Sequence, residues 1–315
     1  MKYIIEMHKV AAFDHDVSSY PAIIVIVNEK QDTTVIAWAD NDTQLFHPTV
    51  ITTKLRELMS NTIATHIVED GLRAYKSHQW FKPRTPWAII EPGKLEILQL
   101  LEQRFPSIEE TGVHVGIGVA SGLDKVYLTT DTSLVEKDRL LPLARTNDIV
   151  SGVLHWSNTY LVNPWQEHGL VQLNHYPRLA EYFQKHQGEL MQRNVAKNNK
   201  NAWYRTIVDL SLLKKCKLYI PDIKNAIHAV LDQGTTYPHH NLYYVSSSTW
   251  DLEVLGAILI SNIGKFFVES YGVRMRGGYL RMQAQYLRRI RLPLFSTLTL
   301  TQRTELKDAF QKRDI

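Results

Sequence analysis

The 315-residue chain is 44% hydrophobic and 22% charged, with one cysteine, which excludes a disordered chain, a collagen-like repeat and a disulfide scaffold. The net charge of +4 hides an asymmetry: residues 1–175 carry 15 Lys and Arg against 21 Asp and Glu, and residues 176–315 carry 21 against 11. A basic half of this size attracts polyanions, of which nucleic acid is the commonest. A solvated basic surface is the alternative.

The first 45 residues predict β-strands. Residues 3–7 form a short apolar run, and 22–27 are a continuous β-branched run typical of a buried strand. A polar turn at 28–32 leads to a further strand at 33–38, and this spacing predicts a hairpin.

The rest of the chain predicts an α+β fold rather than a regular βαβ succession. Predicted helices lie at 55–63, 94–104, 177–193, 252–268 and 279–290. Predicted short strands lie at 113–119, 125–128, 160–162 and 217–220. The stretch 254–268 is shorter than the roughly 20 residues that a membrane span needs, so we expect no membrane contact. The lone Cys216 favours a reducing, cytoplasmic location.

Three motifs resemble catalytic or ligand sites but are incomplete. The segment Gly116–Gly122 lacks the last glycine of a dinucleotide fingerprint and predicts a strand, a turn and a strand. Asn163-Pro164-Trp165 lacks the second proline of a base-holding Asn-Pro-Pro-Tyr loop, so a turn is expected. His239-His240 has no neighbouring carboxylate or cysteine in the sequence, which favours surface histidines over a metal site.

Two basic segments are typical of nucleic-acid contacts. In the predicted helix at 279–290, Arg281, Gln285 and Arg288 share one stripe, and the glycine turn of Arg274-Met-Arg276-Gly-Gly278 precedes it. The second segment, 197–205, interleaves Lys197, Lys200 and Arg205 with amides and with Trp203 and Tyr204. The alternatives are a solvated helix face in the first case and a buried tryptophan that anchors a loop in the second.

Eight segments follow one another along the chain: FDHDVSSYP at 13–21, GIGVASGLDKVY at 116–127, LPLARTNDI at 141–149, YLVNP at 160–164, YPRLAEY at 176–182, WYR at 203–205, KLYIPD at 217–222 and RGGYLR at 276–281. In this order they resemble the C-terminal target-recognition region of adenine-N6 DNA methyltransferases. The resemblance is to the TaqI-like and type IIG restriction–modification enzymes and the related BREX phage-defence methyltransferases.

This resemblance implies three regions. Residues 1–45 would be the closing strands of a methyltransferase catalytic domain, including its residual β-hairpin, 46–110 a connector, and 111–315 a mixed α/β target-recognition domain with C-terminal helices. In the family the catalytic domain binds S-adenosylmethionine and supplies the Asn-Pro-Pro-Tyr loop, both of which we expect to precede Met1. The chain is therefore expected to be a fragment or a split subunit that binds no cofactor or metal and is not catalytic alone.

The resemblance also implies that the chain holds double-stranded DNA for a catalytic domain in cis or in trans. Basic side chains would contact phosphates, polar side chains would read base edges, and the adenine would be extruded into the catalytic domain. The predicted DNA-contacting residues are Lys125, Arg145, Lys200, Trp203, Arg274, Arg276 and Arg281. Asp148 is an alternative partner for Arg145. Gly116, Gly118 and Gly122 are assigned to backbone shape.

Two other functions stay open at the level of sequence. The first is a stand-alone enzyme, either a nuclease or a divergent methyltransferase. The second is a protein-interaction subunit without DNA contact, which an apolar sheet edge at 23–27 would favour.

Overall fold

The computed structural model describes residues 1–7, 10, 21–30, 32–39, 48–69, 71–78, 86–206 and 212–313, with the side chains of Pro48 and Arg276 left out. Most of the resembling segment at 13–21 therefore lies outside the described residues. The chain divides into two units: Met1–Phe105 with Phe266–Arg281, and Pro106–Lys265 with Met282–Ile315.

Five described strands form the mixed sheet of the first unit. They are β1 (Tyr3–Glu6), β2 (Ala22–Val25), β3 (Thr33–Ala39), β4 (His66–Glu69) and β5 (Leu72–His78), in the spatial order β2–β1–β3–β5–β4. Tyr3 lies opposite Val25 on one side and Val35 on the other. The predicted hairpin between the second and third strands is thus wrong, because β1 lies between them and pairs with both.

Side chains of β1 and β3 alternate between the two faces of this sheet, as the period of a strand requires. On one face Ile5 and Val35 are buried in a cluster with residues of α1 (Pro48–Ser60), and on the other Ile4 and Ile36 pack with Leu95 of α2 (Pro92–Arg104). All four residues of β2 are exposed, in contrast to the buried strand that its β-branched sequence predicts. The helix predicted at 94–104 is confirmed.

The second unit contains many short strands. They are β6 (Val113–Ile117), β7 (Leu128–Thr129), β8 (Leu140–Ala144), β9 (Ile149–Val150), β10 (Val153–Leu154), β11 (Tyr160–Val162), β12 (Trp165–Gln166), β13 (Gly169–Leu170), β14 (Lys217–Pro221), β15 (Ile223–Lys224), β16 (Val230–Asp232), β17 (Tyr237–Pro238) and β18 (Leu242–Ser247). Two four-stranded sheets, ordered β16–β14–β18–β6 and β17–β8–β11–β7, contribute most of its core.

The helices that follow along the chain are mostly short. They are α3 (Asp124–Tyr127), α4 (Pro177–Lys185), α5 (Gln187–Leu190), α6 (Asn194–Lys197), α7 (Leu252–Ile260), α8 (Asn262–Tyr271), α9 (Ala284–Leu287) and α10 (Leu300–Lys312). Strand β19 (Leu280–Arg281) lies between α8 and α9. Among the described residues no helix combines the length and the apolarity that a membrane crossing requires.

Buried aromatic residues fill the core of the second unit. Tyr127, Phe183 and Tyr219 are fully buried. Each tyrosine hydroxyl keeps a hydrogen bond, from Tyr127 to the carbonyl of Tyr204 at 2.7 Å and from Tyr219 to the carbonyl of Thr236 at 2.9 Å. A buried hydroxyl without a partner would be costly, so these bonds link core and loops.

The α+β class is confirmed, and so are the strands predicted at 113–119, 160–162 and 217–220. The strand predicted at 125–128 is wrong, since Asp124–Tyr127 form the single turn α3. The helices predicted at 177–193 and 252–268 are each divided, and the second gives α7 and α8.

Candidate nucleic-acid interface

The glycine segment after β6 is shaped by close packing against the protein itself. A Cβ at Gly116 would lie 2.3 Å from the Tyr244 hydroxyl, and one at Gly118 would lie 2.3 Å from the carbonyl oxygens of Pro238 and His239. Gly122 has a φ of +70°, which favours glycine. The assignment of these glycines to backbone shape is confirmed. The segment does not fit a cofactor, because side chains and carbonyls of the chain occupy the space beside it.

Ser121, Asp124, His239 and His240 form a polar cluster at the beginning of α3. The buried Ser121 hydroxyl accepts a hydrogen bond from the Leu123 amide at 3.1 Å and donates one to Asp124 Oδ1. His239 Nε2 lies 3.0 Å from Asp124 Oδ2, and the His239 and His240 rings are 4.0 Å apart between centroids.

This cluster corrects the expectation that His239-His240 are surface histidines without a carboxylate. His239 is 3% exposed, and Asp124, 115 residues earlier, is its partner. Burial, together with the neighbouring His240, lowers the pKa of His239 despite the attraction of Asp124. Burial opposes ionisation of Asp124, but the bond from Ser121 and the two histidines outweigh it, so the pKa of Asp124 is lowered.

Lys125 and Arg145, both predicted to contact DNA, lie close to this cluster. Lys125 follows Asp124 in α3, is two-thirds exposed, and its Nζ is 2.5 Å from Glu189 Oε2. Arg145 directly follows β8 and is exposed. The buried Asp148 accepts a hydrogen bond from the backbone amide of Arg145 at 2.8 Å, so it fixes the turn that presents the arginine.

Arg193 connects the glycine segment to the segment 197–205, a role that the sequence did not predict. Its guanidinium donates to the Ser121 carbonyl at 2.6 Å and to the Trp203 carbonyl at 2.7 Å, and it lies over the Tyr127 ring. The side chain is buried, and its hydrogen bonds are strong because the donor is a charged guanidinium. These partners are 72 and 10 residues away, so no local pattern reveals them.

The segment 197–205 has a packed part at Trp203 and an exposed part at Lys200. Trp203 is partly buried and meets the rings of Phe183 and Tyr204 edge-on, at 6.5 and 5.5 Å between centroids. Asn199 accepts a hydrogen bond from Arg205 at 3.1 Å, and Lys200 is exposed. Trp203 therefore packs as an anchor of the loop, as the alternative reading of this segment expected.

Arg274 lines a cavity of about 230 Å³ within the first unit. The same cavity is lined by Glu6, Trp38 and Arg73, and Trp38 Nε1 donates to Glu6 at 3.1 Å. Burial raises the pKa of Glu6, and the Trp38 bond and the charge of Arg274 offset this in part. Arg274 is exposed and thus borders both this cavity and solvent.

The helix predicted at 279–290 is wrong. Gly277 and Gly278 have φ values of +84° and +80°, the chain then forms β19, and only α9 is helical. Arg281 and Arg288 therefore do not share a helical stripe. Arg288 is tied to Glu109 at 2.9 Å and to the Val115 carbonyl at 2.6 Å. The backbone of Arg276 is in the glycine turn, and its side chain lies outside the described part.

The Asn163-Pro164-Trp165 turn is confirmed as structural. Asn163 is buried, its Oδ1 accepts from the Trp165 amide at 3.0 Å, and its amide group donates to the Trp165 carbonyl at 3.2 Å. Both polar atoms of the side chain are used within the turn, so this asparagine is not presented to a base.

Comparison with known proteins agrees with this description. Residues 175–294 match the TaqI-like C-terminal specificity domain. The chain is 41% identical over 98% of its length to the type II methyltransferase M.BstVI of Geobacillus stearothermophilus, and 39% identical over its whole length to the type II methyltransferase M.PaeR7I of Pseudomonas aeruginosa. It covers 55% and 54% of these proteins, so it spans about half the length of the curated relatives that it matches.

A solved structure shows the same fold. The type IIL restriction–modification enzyme MmeI, solved in complex with DNA, matches 98% of the chain with a TM-score of 0.55 and 10% identity, and the chain covers 37% of it. Residues 175–294 thus match the TaqI-like specificity region that the sequence resembles, whereas the adenine-N6 and BREX parts of that resemblance stay predictions. More particularly, the chain is similar along its length to about half of the type II methyltransferases M.BstVI and M.PaeR7I.

Proposed function

We propose that this chain is the DNA sequence-recognition part of a site-specific adenine-N6 DNA methyltransferase of a restriction–modification or phage-defence system. It binds duplex DNA in the cytoplasm and presents it to a catalytic domain, outside these residues, that binds S-adenosylmethionine. The observation that carries the proposal is the specificity-domain match over 175–294. This region holds 17 Lys and Arg against 8 Asp and Glu, and thus most of the basic excess of residues 176–315.

The proposed DNA contacts are those expected from the sequence: Lys125, Arg145, Lys200, Trp203, Arg274, Arg276 and Arg281. The structure supports different tasks for them. Lys200 and Arg145 are exposed on turns that buried groups hold in place, which suits phosphate contacts that set register. Trp203 holds its loop against the core, so we assign it the task of positioning Lys200.

The first unit offers an edge strand to which the proposed catalytic partner could attach. β2 is an end strand in the order of described strands, and Ile23 and Ile24 are 48% and 51% exposed. An apolar end strand invites pairing with a further strand. We propose that the sheet of the catalytic domain, in cis or in trans, continues from β2.

Salt-dependent binding tests the DNA contact. The affinity of the 315-residue chain for a fluorescent duplex is measured by anisotropy over a series of salt concentrations, and log K should fall linearly with log salt. Lys200→Gln removes one exposed charge at a proposed phosphate contact and should reduce the slope by about 0.9, because each phosphate contact contributes about 0.9. Lys185→Gln, an exposed lysine already 2.8 Å from Glu181, is the matched control and should change it less.

A chimaera tests the methyltransferase assignment. The part of M.BstVI that this chain does not match is joined to the chain, and the modified DNA is digested to nucleosides for mass spectrometry. N6-methyladenine that requires both parts supports the proposal, whereas a methylated cytosine contradicts the adenine assignment. No binding of duplex DNA, even at low salt, would instead favour a subunit that acts through protein contacts.

A further inference from the structure

From the geometry of Asp124, His239 and His240 we propose a binding site for one divalent transition-metal ion in the second unit. One ligand atom from each of the three side chains lies within 4.8 Å of the other two. The three residues come from α3 and from the β17–β18 turn, which are far apart in the sequence. The proposal does not depend on the function proposed above.

Two imidazoles and one carboxylate define the class of ion. Imidazole suits zinc, nickel, copper and iron, whereas magnesium and calcium prefer oxygen ligands alone. In a tetrahedral zinc site with bonds of about 2.0–2.1 Å, ligand atoms are about 3.4 Å apart. Asp124 Oδ2 and His239 Nε2 are already 3.0 Å apart, so a metal would replace their hydrogen bond with little movement.

Neighbouring residues that are not ligands hold Asp124 and His239 in place. Ser121, 1% exposed, binds Asp124 Oδ1 and leaves Oδ2 for the ion, which is the arrangement of an outer-shell partner. His239 donates its backbone amide to the Ala144 carbonyl at 2.9 Å and forms a parallel bridge with Val119. The glycine at 118 permits this approach, because a Cβ there would meet the carbonyl of His239.

The remaining ligands leave a path for entry. The Asp124 side chain is 44% exposed, and His240 is partly exposed. These two side chains can adjust to an ion while His239 stays fixed in the core. An ion at this position would join α3 to the β17–β18 turn, and three protein ligands leave a coordination position for solvent.

Zinc titration tests the site. The 315-residue chain is treated with EDTA, dialysed and titrated with Zn²⁺ in a calorimeter, and Co²⁺ is added separately to record its visible absorption. We expect one Zn²⁺ per chain, the strong absorption of a four-coordinate Co²⁺ complex, and a rise of the melting temperature with Zn²⁺. Asp124→Asn and His240→Ala should each abolish the stoichiometric binding, and Ser121→Ala should weaken it about 10- to 100-fold.

The matched control is His168→Ala, which removes an exposed histidine elsewhere in the same unit and should leave zinc binding unchanged. Circular dichroism of each variant without metal reports whether it folds, and if His240→Ala fails to fold, Asp124→Asn decides. The proposal is overturned if the wild-type chain binds no stoichiometric zinc, or if the control and both ligand variants bind zinc equally. The second result indicates adventitious binding to surface histidines.

Discussion

The buried pair of Lys217 and Asp232 gives the sharpest test of how the second unit is held together. Both side chains are fully buried, with Lys217 Nζ 2.8 Å from Asp232 Oδ2. Asp232 also accepts hydrogen bonds from the Gly234 amide at 3.1 Å and from the hydroxyls of Thr235 and Thr236 at 2.8 and 3.1 Å. The carboxylate thus fixes the turn that leads into β17 and His239.

Lys217→Met would leave this carboxylate buried without its counter-ion. Breaking a buried pair costs about 3–5 kcal/mol. The four hydrogen bonds that remain on Asp232, of which the fourth comes from the Thr236 amide at 3.3 Å, place the expected loss near the lower end, about 3 kcal/mol. In Lys217→Met with Asp232→Asn neither charge is left alone, so the double variant should be more stable than Lys217→Met, with a coupling of at least about 1.5 kcal/mol.

Hydrogen exchange of the Tyr219 amide in β14 is the assay, because it reports opening of the second unit whatever the first unit does. The same cycle is then repeated by urea denaturation. Additive losses in the double variant, or a loss below about 1 kcal/mol for Lys217→Met, would show that the pair does not hold this turn.

Three further changes probe the packing and ionisation described above. Gly118→Ala should destabilise by about 1–3 kcal/mol in thermal melting, because its Cβ meets two carbonyl oxygens, whereas Gly188→Ala in α5, with no atom within 4 Å, should be neutral or stabilising. Burial opposes ionisation of Asp251, but its bonds to the first turn of α7 and to Lys307 outweigh burial and lower its pKa. The ionised carboxylate therefore stabilises the fold above pH 3.8, and this stabilisation is lost as the pH falls through the folded pKa. Asp251→Asn keeps the cap and should approach wild-type stability in acid. The pKa of Glu6 is raised by burial, so the contribution of this side chain to folding stability is lost as the pH rises above 4.5. Glu6→Gln, which carries no charge to bury, should therefore be more stable than wild type at neutral pH.

The sequence predicts elements well where a local pattern decides them. Pro92 and the apolar repeat around Leu98 specify α2, and the β-branched and apolar residues of 113–117 and 217–221 specify strands that the structure contains. Pairing between strands is not local. β1 separates β2 from β3 because its two edges accept both partners, and the turn between β2 and β3 carries no information about that choice.

The candidate site shows the same limit. Ser121 and Asp124 are three residues apart, a spacing that forms a local turn, but their partner His239 comes from a strand connection 115 residues later. The predicted helix at 279–290 failed for a related reason. Leu280 and Leu287 have helical spacing and are both buried, yet left-handed glycines before them and the bonds of Arg288 to Glu109 and Val115 favour an extended entry and one short helical turn.

Buried polar groups fix the shape of loops in the second unit, whereas different, exposed side chains on these loops are the proposed DNA contacts. Arg193 holds the Trp203 carbonyl and Asp148 holds the Arg145 amide, while the exposed Lys200 and the guanidinium of Arg145 extend from these fixed turns. Because an exposed side chain away from such anchors contributes little to folding, substitution at Lys200 should alter the proposed DNA contact with a stability change within about 0.5 kcal/mol. Substitution at Arg193, which bonds to three carbonyl groups, should instead disturb every side chain that this loop presents.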